Sequence, residues 1–415
     1  MSYLEKLLEG VEIEWKNLED VAKFRRGSFP QPYGKTEWYD GDGAMPFVQV
    51  VDVGFDMNLV NDTKNKISKL AQSQSVFVPK GTIVVTLQGS IGRVAITQYD
   101  CYVDRTLAIF QEYLFEINEK YFAYQLEEKF RIERINAPGS TIKTITKAAF
   151  SKFKIPIPCP QNPKKSLEIQ KEIVQILDTL NELTTTLITE LAVRKKQYNY
   201  YREEFYSFQV DEVEMKSLNE IGEFQRGKRF VKDDMISEGV PCIHYGEMYT
   251  HYGTCADETK SFVSEELVKN KNLRVAEKGD VVIVAAGETI EDIGMGTAWL
   301  GNDGVVTHDA LFSFRSPLNP KYVAYFSRTK QFHDQIRRHI RSGKISAINA
   351  KGLGKAIIPV PSADEQERIV SILDKFDILT NSISEGLPKE IDLREKQYEY
   401  YRDMLLTFPK DKLEA

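Results

Sequence analysis

The chain has 415 residues, 42% hydrophobic and 28% charged, with 22 Phe, 20 Tyr and a formal net charge of −6. That length exceeds one ordinary core and predicts two or more domains, and the balance excludes a disordered chain. No apolar run approaches the roughly twenty residues that span a bilayer, the N-terminus lacks the basic-then-apolar layout of a signal peptide, and the acidic total excludes a uniformly basic nucleic-acid binder.

The expected location is therefore the cytoplasm, away from any membrane. Cysteines at 101, 159, 242 and 255 form no CxxC pair and suit reduced, structural thiols.

In chain order, the first 200 residues set out a plan that the next 200 repeat. EWKNLEDVAKFRRG (14–27) returns as EMKSLNEIGEFQRG (214–227), matching at Lys16/Lys216, Leu18/Leu218, Phe24/Phe224, Arg26/Arg226 and Gly27/Gly227. A strand signal follows, PFVQVVD (46–52) against PCIHYGE (241–247). KGTIVVTLQGSIG (80–92) then parallels KGDVVIVAAGETIEDIG (278–294), each a Lys-Gly turn feeding a β-branched strand that stops at glycine. NEKYFAY (118–124) answers NPKYVAY (319–325), and IKTITKAAFSKFKIPIP (142–158) answers ISAINAKGLGKAIIPVP (345–361).

Each half closes on a helical segment, 168–208 and 365–408, and QYxYYR recurs at 197–202 and 397–402. In the first, Ile173, Leu177, Leu180, Leu187, Leu191, Tyr198, Tyr201 and Phe205 fall at three- and four-residue steps, with Thr184 and Arg194 as polar members of the seam. In the second, Ile369, Leu373, Phe376, Ile383, Ile391, Tyr398, Tyr401, Leu405 and Phe408 continue the stripe across Gly386-Leu387-Pro388, where a kink or local unwinding is expected. Some forty residues make a rod of roughly 60 Å, and each amphipathic rod finds its obvious cover in its twin.

The expected fold is α+β: two β-rich domains alternating with two long helices that pair as an antiparallel coiled coil, an internal pseudo-twofold repeat. The boundaries are 1–163 for the first domain, 164–209 for the central spacer helix, 210–362 for the second domain and 363–409 for the C-terminal spacer helix.

This order resembles the specificity subunits of Type I restriction-modification systems, in which target-recognition domains alternate with helical segments. The marks that carry the resemblance are the tails RKKQYNYYREEFYSF and REKQYEYYRDMLLTF, the IPIP and IPVP run-ins, and EIVQILD with RIVSILD. It implies a noncatalytic subunit without a cofactor of its own, bound to double-stranded DNA. Its protein partners would be modification (methyltransferase) subunits, two of them, and restriction/translocase subunits where present. A rigid rod holding two modules suits a bipartite target, and the differing insertions at 28–45 and 228–240 suit an asymmetric one. The alternative is a two-module protein-binding scaffold without DNA specificity.

Base reading calls for Arg, Lys, Gln or small hydroxyls on loops lifted from a stable frame. The first domain offers Arg25, Arg26, Lys35, Gln88, Ser90, Arg93, Arg105, Lys143 and Lys147. The second offers Arg226, Lys228, Arg229, His308, Lys351 and the run Arg337, Arg338, Arg341 and Lys344. Partner docking falls to Tyr198, Tyr201, Arg202, Tyr398, Tyr401 and Arg402, whose tyrosines suit a coiled-coil core equally well.

Cys242, His244, His251 and Cys255 are spaced like no usual zinc site and have no counterpart in the first half, so no metal is expected. No phosphate loop, no GxGxxG and no DPPY-like tetrapeptide is present, and no catalytic residue is assigned.

Overall fold

The protein is represented by a computed structural model that describes Leu7 and residues 9–54, 56–136, 145–209 and 212–408. It divides into two compact units, Met1–Thr185 with Leu393–Ala415, and Thr186–Asp392.

In the first unit the β-branched run becomes the strand Ile83–Thr86, central in a four-stranded sheet ordered Ala22–Arg26, Leu107–Tyr113, Ile83–Thr86, Val94–Ile96. All four residues of that strand are buried, and their alternation feeds two cores. Ile83 and Val85 face helices, whereas Val84 faces Val48, Val78 and Val103 of a second four-stranded sheet. That sheet runs Asn65–Ile67, Met45–Val48, Cys101–Val103, Val76–Val78. The 28–45 insertion carries Phe29 and Trp38 into a small core of its own, with Phe47 and Ile67.

The helical layer includes α1 (Glu119–Asn136) and the first part of α2 (Pro163–Glu204), a 42-residue helix that begins in this unit and ends in the other. Asn118 opens α1 by accepting the Tyr121 N–H at 2.9 Å. The IPIP run-in is the strand Lys154–Pro158, antiparallel to Ile13–Asn17.

The second unit repeats the plan. Val281–Val284 is central in a five-stranded sheet ordered Glu223–Arg226, Leu311–Arg315, Val281–Val284, Gly296–Trp299, Cys255–Ala256. Val281 and Ile283 join the helical core, while Val282 and Val284 join Ile243 and Val305 of the second sheet. The helices of its core include α3 (Pro320–Phe326), α4 (Lys330–Arg337), α5 (Ala363–Asn381) and the end of α2. Asn319 caps α3 with Pro320 in its first turn.

The heptad stripe of α2 is largely covered: Ile173, Leu177, Thr184 and Tyr198 are buried, Leu180, Leu187, Leu191 and Arg194 half-buried, and Tyr201 exposed. Inside the second unit, Tyr198 and Tyr201 stack on Phe376 of α5, with ring centroids 6.2 and 5.6 Å apart.

The C-terminal segment corrects one expectation. It is two helices, α5 and α6 (Gly386–Thr407), broken at residues 382–385, one turn before the expected kink. Pro388 is tolerated because it lies in the first turn of α6, where no intrahelical N–H is required. Gly386 adopts φ +76°, and a Cβ there would lie 2.4 Å from the Ile378 carbonyl oxygen, so only glycine suits the start of α6. Ile383, assigned to the stripe, falls in the break and is 87% exposed. Among the described residues, no helix is long and apolar enough to cross a membrane.

Candidate nucleic-acid interface

In each unit, three loops meet at one end of the central sheet, and backbone hydrogen bonds fix them. Gly27 N–H donates to the Leu107 carbonyl and Ser28 N–H to that of Val103; Gly227 and Lys228 repeat this with Leu311 and Thr307. A Cβ on Gly27 would lie 2.0 Å from the Val103 oxygen, and one on Gly227 2.1 Å from the His308 oxygen. Only glycine lets these strands approach so closely, which explains the repeated Arg-Gly.

The second junction joins Leu87 N–H to the Thr106 carbonyl, and Ala285 N–H to that of Ala310. The third ties Ile145 N–H to the Leu87 carbonyl, and Ile348 N–H to that of Ala285. The chain at Ile145 and at Ile348 is thus fastened to the glycine turns after the central strands.

The first unit's junction encloses an open depression of about 400 Å³ lined by Tyr33, Gln49, Lys64, Gln88, Asp104 and Arg105. Tyr33 OH donates to Asp104 Oδ2 at 2.5 Å, and Thr106 donates N–H and O–H to Asp104 Oδ1 at 2.9 and 2.5 Å. Burial, then the Asp104 carboxylate, push the Tyr33 phenol well above its ordinary value, so it remains a donor. The Arg105 guanidinium lies 5.3 Å from the Tyr33 ring centroid.

The parallel pairs Val48/Val103 and Ile243/Thr307 set the correspondence between units, placing His244 where Gln49 stands and His308 where Asp104 stands. Their rings are 4.6 Å apart, and His308 also packs on Phe230. Burial lowers both imidazole pKa values, so the neutral forms are favoured. His308 Nδ1 accepts the Ala310 N–H at 3.1 Å. Ala286 replaces Gln88, and Asp309 replaces Arg105.

The sequence-assigned residues fall into three groups. Arg25, Arg26, Ser90, Arg105, Lys147, Arg229, Arg337, Arg338, Arg341, Lys344 and Lys351 are exposed, Gln88 is half-buried, and Lys35 pairs with Glu37 at 3.1 Å. Arg341 opens a tight loop closed by two backbone hydrogen bonds with Ala347, which displays Lys344 and an Ile345 that is 65% exposed. Arg93 is turned inward onto the Val53 carbonyl, Arg226 donates to the Asp309 carbonyl, Lys228 donates to the Lys271 carbonyl, and His308 is buried. Lys143 lies outside the described residues.

Sequence reasoning missed Tyr33, Gln49, Lys64 and Asp104. The one signal for Asp104 was its place beside Arg105, and for Gln49 the polar gap within FVQVVD. Cys242 and His244 sit at and just beyond the end of the strand Val240–Ile243. Among the described residues no cluster of three or more His, Cys, Asp or Glu suits a metal.

Of the residues assigned to partner docking, Tyr198 is buried, Tyr398, Tyr401, Arg202 and Arg402 are half-buried, and Tyr201 is exposed. Tyr200 and Tyr400, which the assignment passed over, are 61% and 65% exposed.

The sequence model of the family described as Type I restriction modification DNA specificity domain matches residues 11–193 and again 210–393. The chain is 34% identical to the Type I restriction enzyme EcoR124I/EcoR124II specificity subunit of Escherichia coli, over 99% of this chain and 98% of that one. It is 30% identical to the EcoprrI specificity subunit of the same organism, over 93% and 92%. Among solved structures, a chain from a type I R-M system studied for complex assembly and conformational transition superposes with a TM-score of 0.62, at 14% identity and covering 95% and 97% of the two chains. The S subunit from M. genitalium gives 0.50 at 17% identity, covering 98% of each; both likenesses speak to the fold. With two copies of that domain in one polypeptide, the chain belongs to the Type I restriction-modification specificity subunits.

Proposed function

We propose that each unit reads one half of a bipartite, asymmetric target in double-stranded DNA, and that the chain itself is noncatalytic. The observation that carries this reading is one backbone frame bearing two chemistries: Gln49, Gln88, Asp104 and Arg105 in the first unit stand where His244, Ala286, His308 and Asp309 stand in the second. Amide and guanidinium groups suit base edges, and a histidine pair on the same frame selects others. Exposed cations of the 337–351 stretch supply phosphate contacts, which position without specifying.

The chain works in the cytoplasm, with no cofactor or metal of its own, and docks two modification subunits that methylate the DNA, together with restriction/translocase subunits where present. The exposed Tyr200, Tyr201 and Tyr400 of the repeated tails are the partner-facing members of that motif. The spacer helices pair as an antiparallel coiled coil, with the buried stripe of α2 as its seam. Exchanging residues 1–160 for another recognition domain tests the modular part: mapped methylation should change in one half of the target, and change in both halves overturns the reading.

A further inference from the structure

The two units differ beside their tail tyrosines. In the first, the Arg402 guanidinium lies 3.4 Å from Glu128, which Arg131 also engages at 2.6 Å, and Arg402 and Arg131 both reach Asp403. Every cation there has a counter-ion. In the second unit the residues matching Glu127 and Glu128 of the NEKYFAY helix are Arg328 and Thr329, so the carboxylate that balances Arg402 is replaced, and Arg202 shares its surroundings with a second arginine.

Arg202, Arg328 and Arg337 open onto one cavity of about 410 Å³ with an apolar wall of Ile290, Met295 and Ile340. Arg328 donates to the carbonyls of Gly253 and Gly296, and Arg202 to Asn199, but the buried Nε of each has no hydrogen-bond partner among the described residues. Glu203, Glu291 and Asp334 also line the cavity, yet none is within ion-pair distance of an arginine, and Glu203 is engaged by the Lys330 N–H at 2.7 Å. Asp377 acts on Arg328 from beyond ion-pair distance; burying like charges without a direct ion pair is costly, and an anion that fills the gap recovers much of that cost. Guanidinium forks match the oxygens of a phosphate group.

We infer that this cavity of the second unit is an oxyanion site for a phosphate group, with Arg202 and Arg328 as its principal donors, and that the first unit has no equivalent. The source is either free phosphate or the backbone of a duplex.

Inorganic phosphate against chloride at matched ionic strength, with the full chain, tests it. Phosphate at about ten times its Kd should raise Tm by roughly 2–4 °C over chloride. Arg202→Gln should abolish the difference, and Arg402→Gln in the first unit should leave it. Arg328→Gln is a weaker test because that side chain also holds two carbonyls. Equal Tm in both salts, or a phosphate gain that survives Arg202→Gln, overturns the site. A second arm separates the sources: if duplex phosphate occupies the cavity, Arg202→Gln lowers the salt slope of DNA binding by about one, and an unchanged slope assigns the site to free phosphate. Loss of methyltransferase association by Arg202→Gln, with no phosphate effect in the wild-type chain, makes the cavity a protein interface and also overturns the proposal.

Discussion

Tyr124 donates its hydroxyl to Asp178 at 2.7 Å, and Tyr325 does the same to Asp374 at the same distance. Lys120 and Lys321 reach the second oxygen of those carboxylates at 2.6 and 2.7 Å. The NEKYFAY and EIVQILD motifs of the first half are therefore the two sides of one contact, and NPKYVAY and RIVSILD are its copy. Beside them, Gln170 and Gln366 accept the N–H groups of Asn118 and Asn319. Each repeat uses this polar clasp to seat its short helix against the helix that follows the IPIP or IPVP strand.

The clasp should be worth measurable stability, chiefly through tyrosine. Tyr124 is 4% exposed, and its bond to a charged acceptor is expected to contribute about 1–2 kcal/mol. Lys120 is 42% exposed, and its ion pair should contribute under about 1 kcal/mol after screening. Denaturant unfolding of Tyr124→Phe and Lys120→Met should rank them in that order; a larger effect of Lys120→Met would show that the ion pair dominates.

Gly27→Ala and Gly227→Ala should each destabilise their own unit by at least about 1–3 kcal/mol, because a methyl group 2.0 or 2.1 Å from a carbonyl oxygen forces the strands apart. Hydrogen exchange distinguishes the units: protection should fall around Val103 to Leu107 in the first variant and around Thr307 to Leu311 in the second.

Arg105→Ala should alter only the half-site read by the first unit, weakening discrimination at one base position by about 1–3 kcal/mol. Gln88→Ala should act on the same half. Methylation mapping reads the outcome, and a change confined to the other half-site would place the reading loops elsewhere.

The sequence made the repeat legible because hydrogen-bonded frames demand particular residues: glycine where strands nearly touch, β-branched runs where a strand is buried on both faces, asparagine where a short helix needs a cap. The candidate reading face was less legible. Asp104 and Arg105 are neighbours, yet one is buried with three hydrogen bonds to its carboxylate and the other exposed, a distinction set by the local Thr106 and by Tyr33, 71 residues away in sequence. The basic count equally concealed that Arg93 and Arg226 each donate to a backbone carbonyl, Arg93 half-buried and Arg226 still exposed. In the C-terminal segment, the stripe continued through Ile383 on paper because period alone does not register a positive-φ glycine three residues later.

Acid should weaken the second unit through its paired imidazoles. Burial lowers His244 and His308 from the ordinary value of 6.5, so below that pH the unfolded chain takes up protons that the folded one refuses. Above 6.5 both states are neutral and the histidines contribute no pH dependence; as pH falls from there toward the folded values, stability is lost. Replacing His308 with Gln removes one such group, so the wild-type chain should lose more stability between about pH 6.5 and 5 than His308→Gln does. Parallel curves from denaturant unfolding across that range would show that the imidazoles are charged at no cost in the folded state.

The long helix α2 is continuous through Thr189. Four residues inserted there lengthen the helix by about 6 Å and restore its face to within a fraction of a turn, so the apolar stripe survives the change. If this helix sets the interval between half-sites, the unread spacer should grow by about one or two base pairs while the bases read in each half stay the same, since one base pair occupies about 3.4 Å of duplex. Methylation mapping of the insertion variant gives the spacer directly, and circular dichroism confirms that helix content is kept. A folded, active variant with the original spacer would mean that something other than α2 measures the distance.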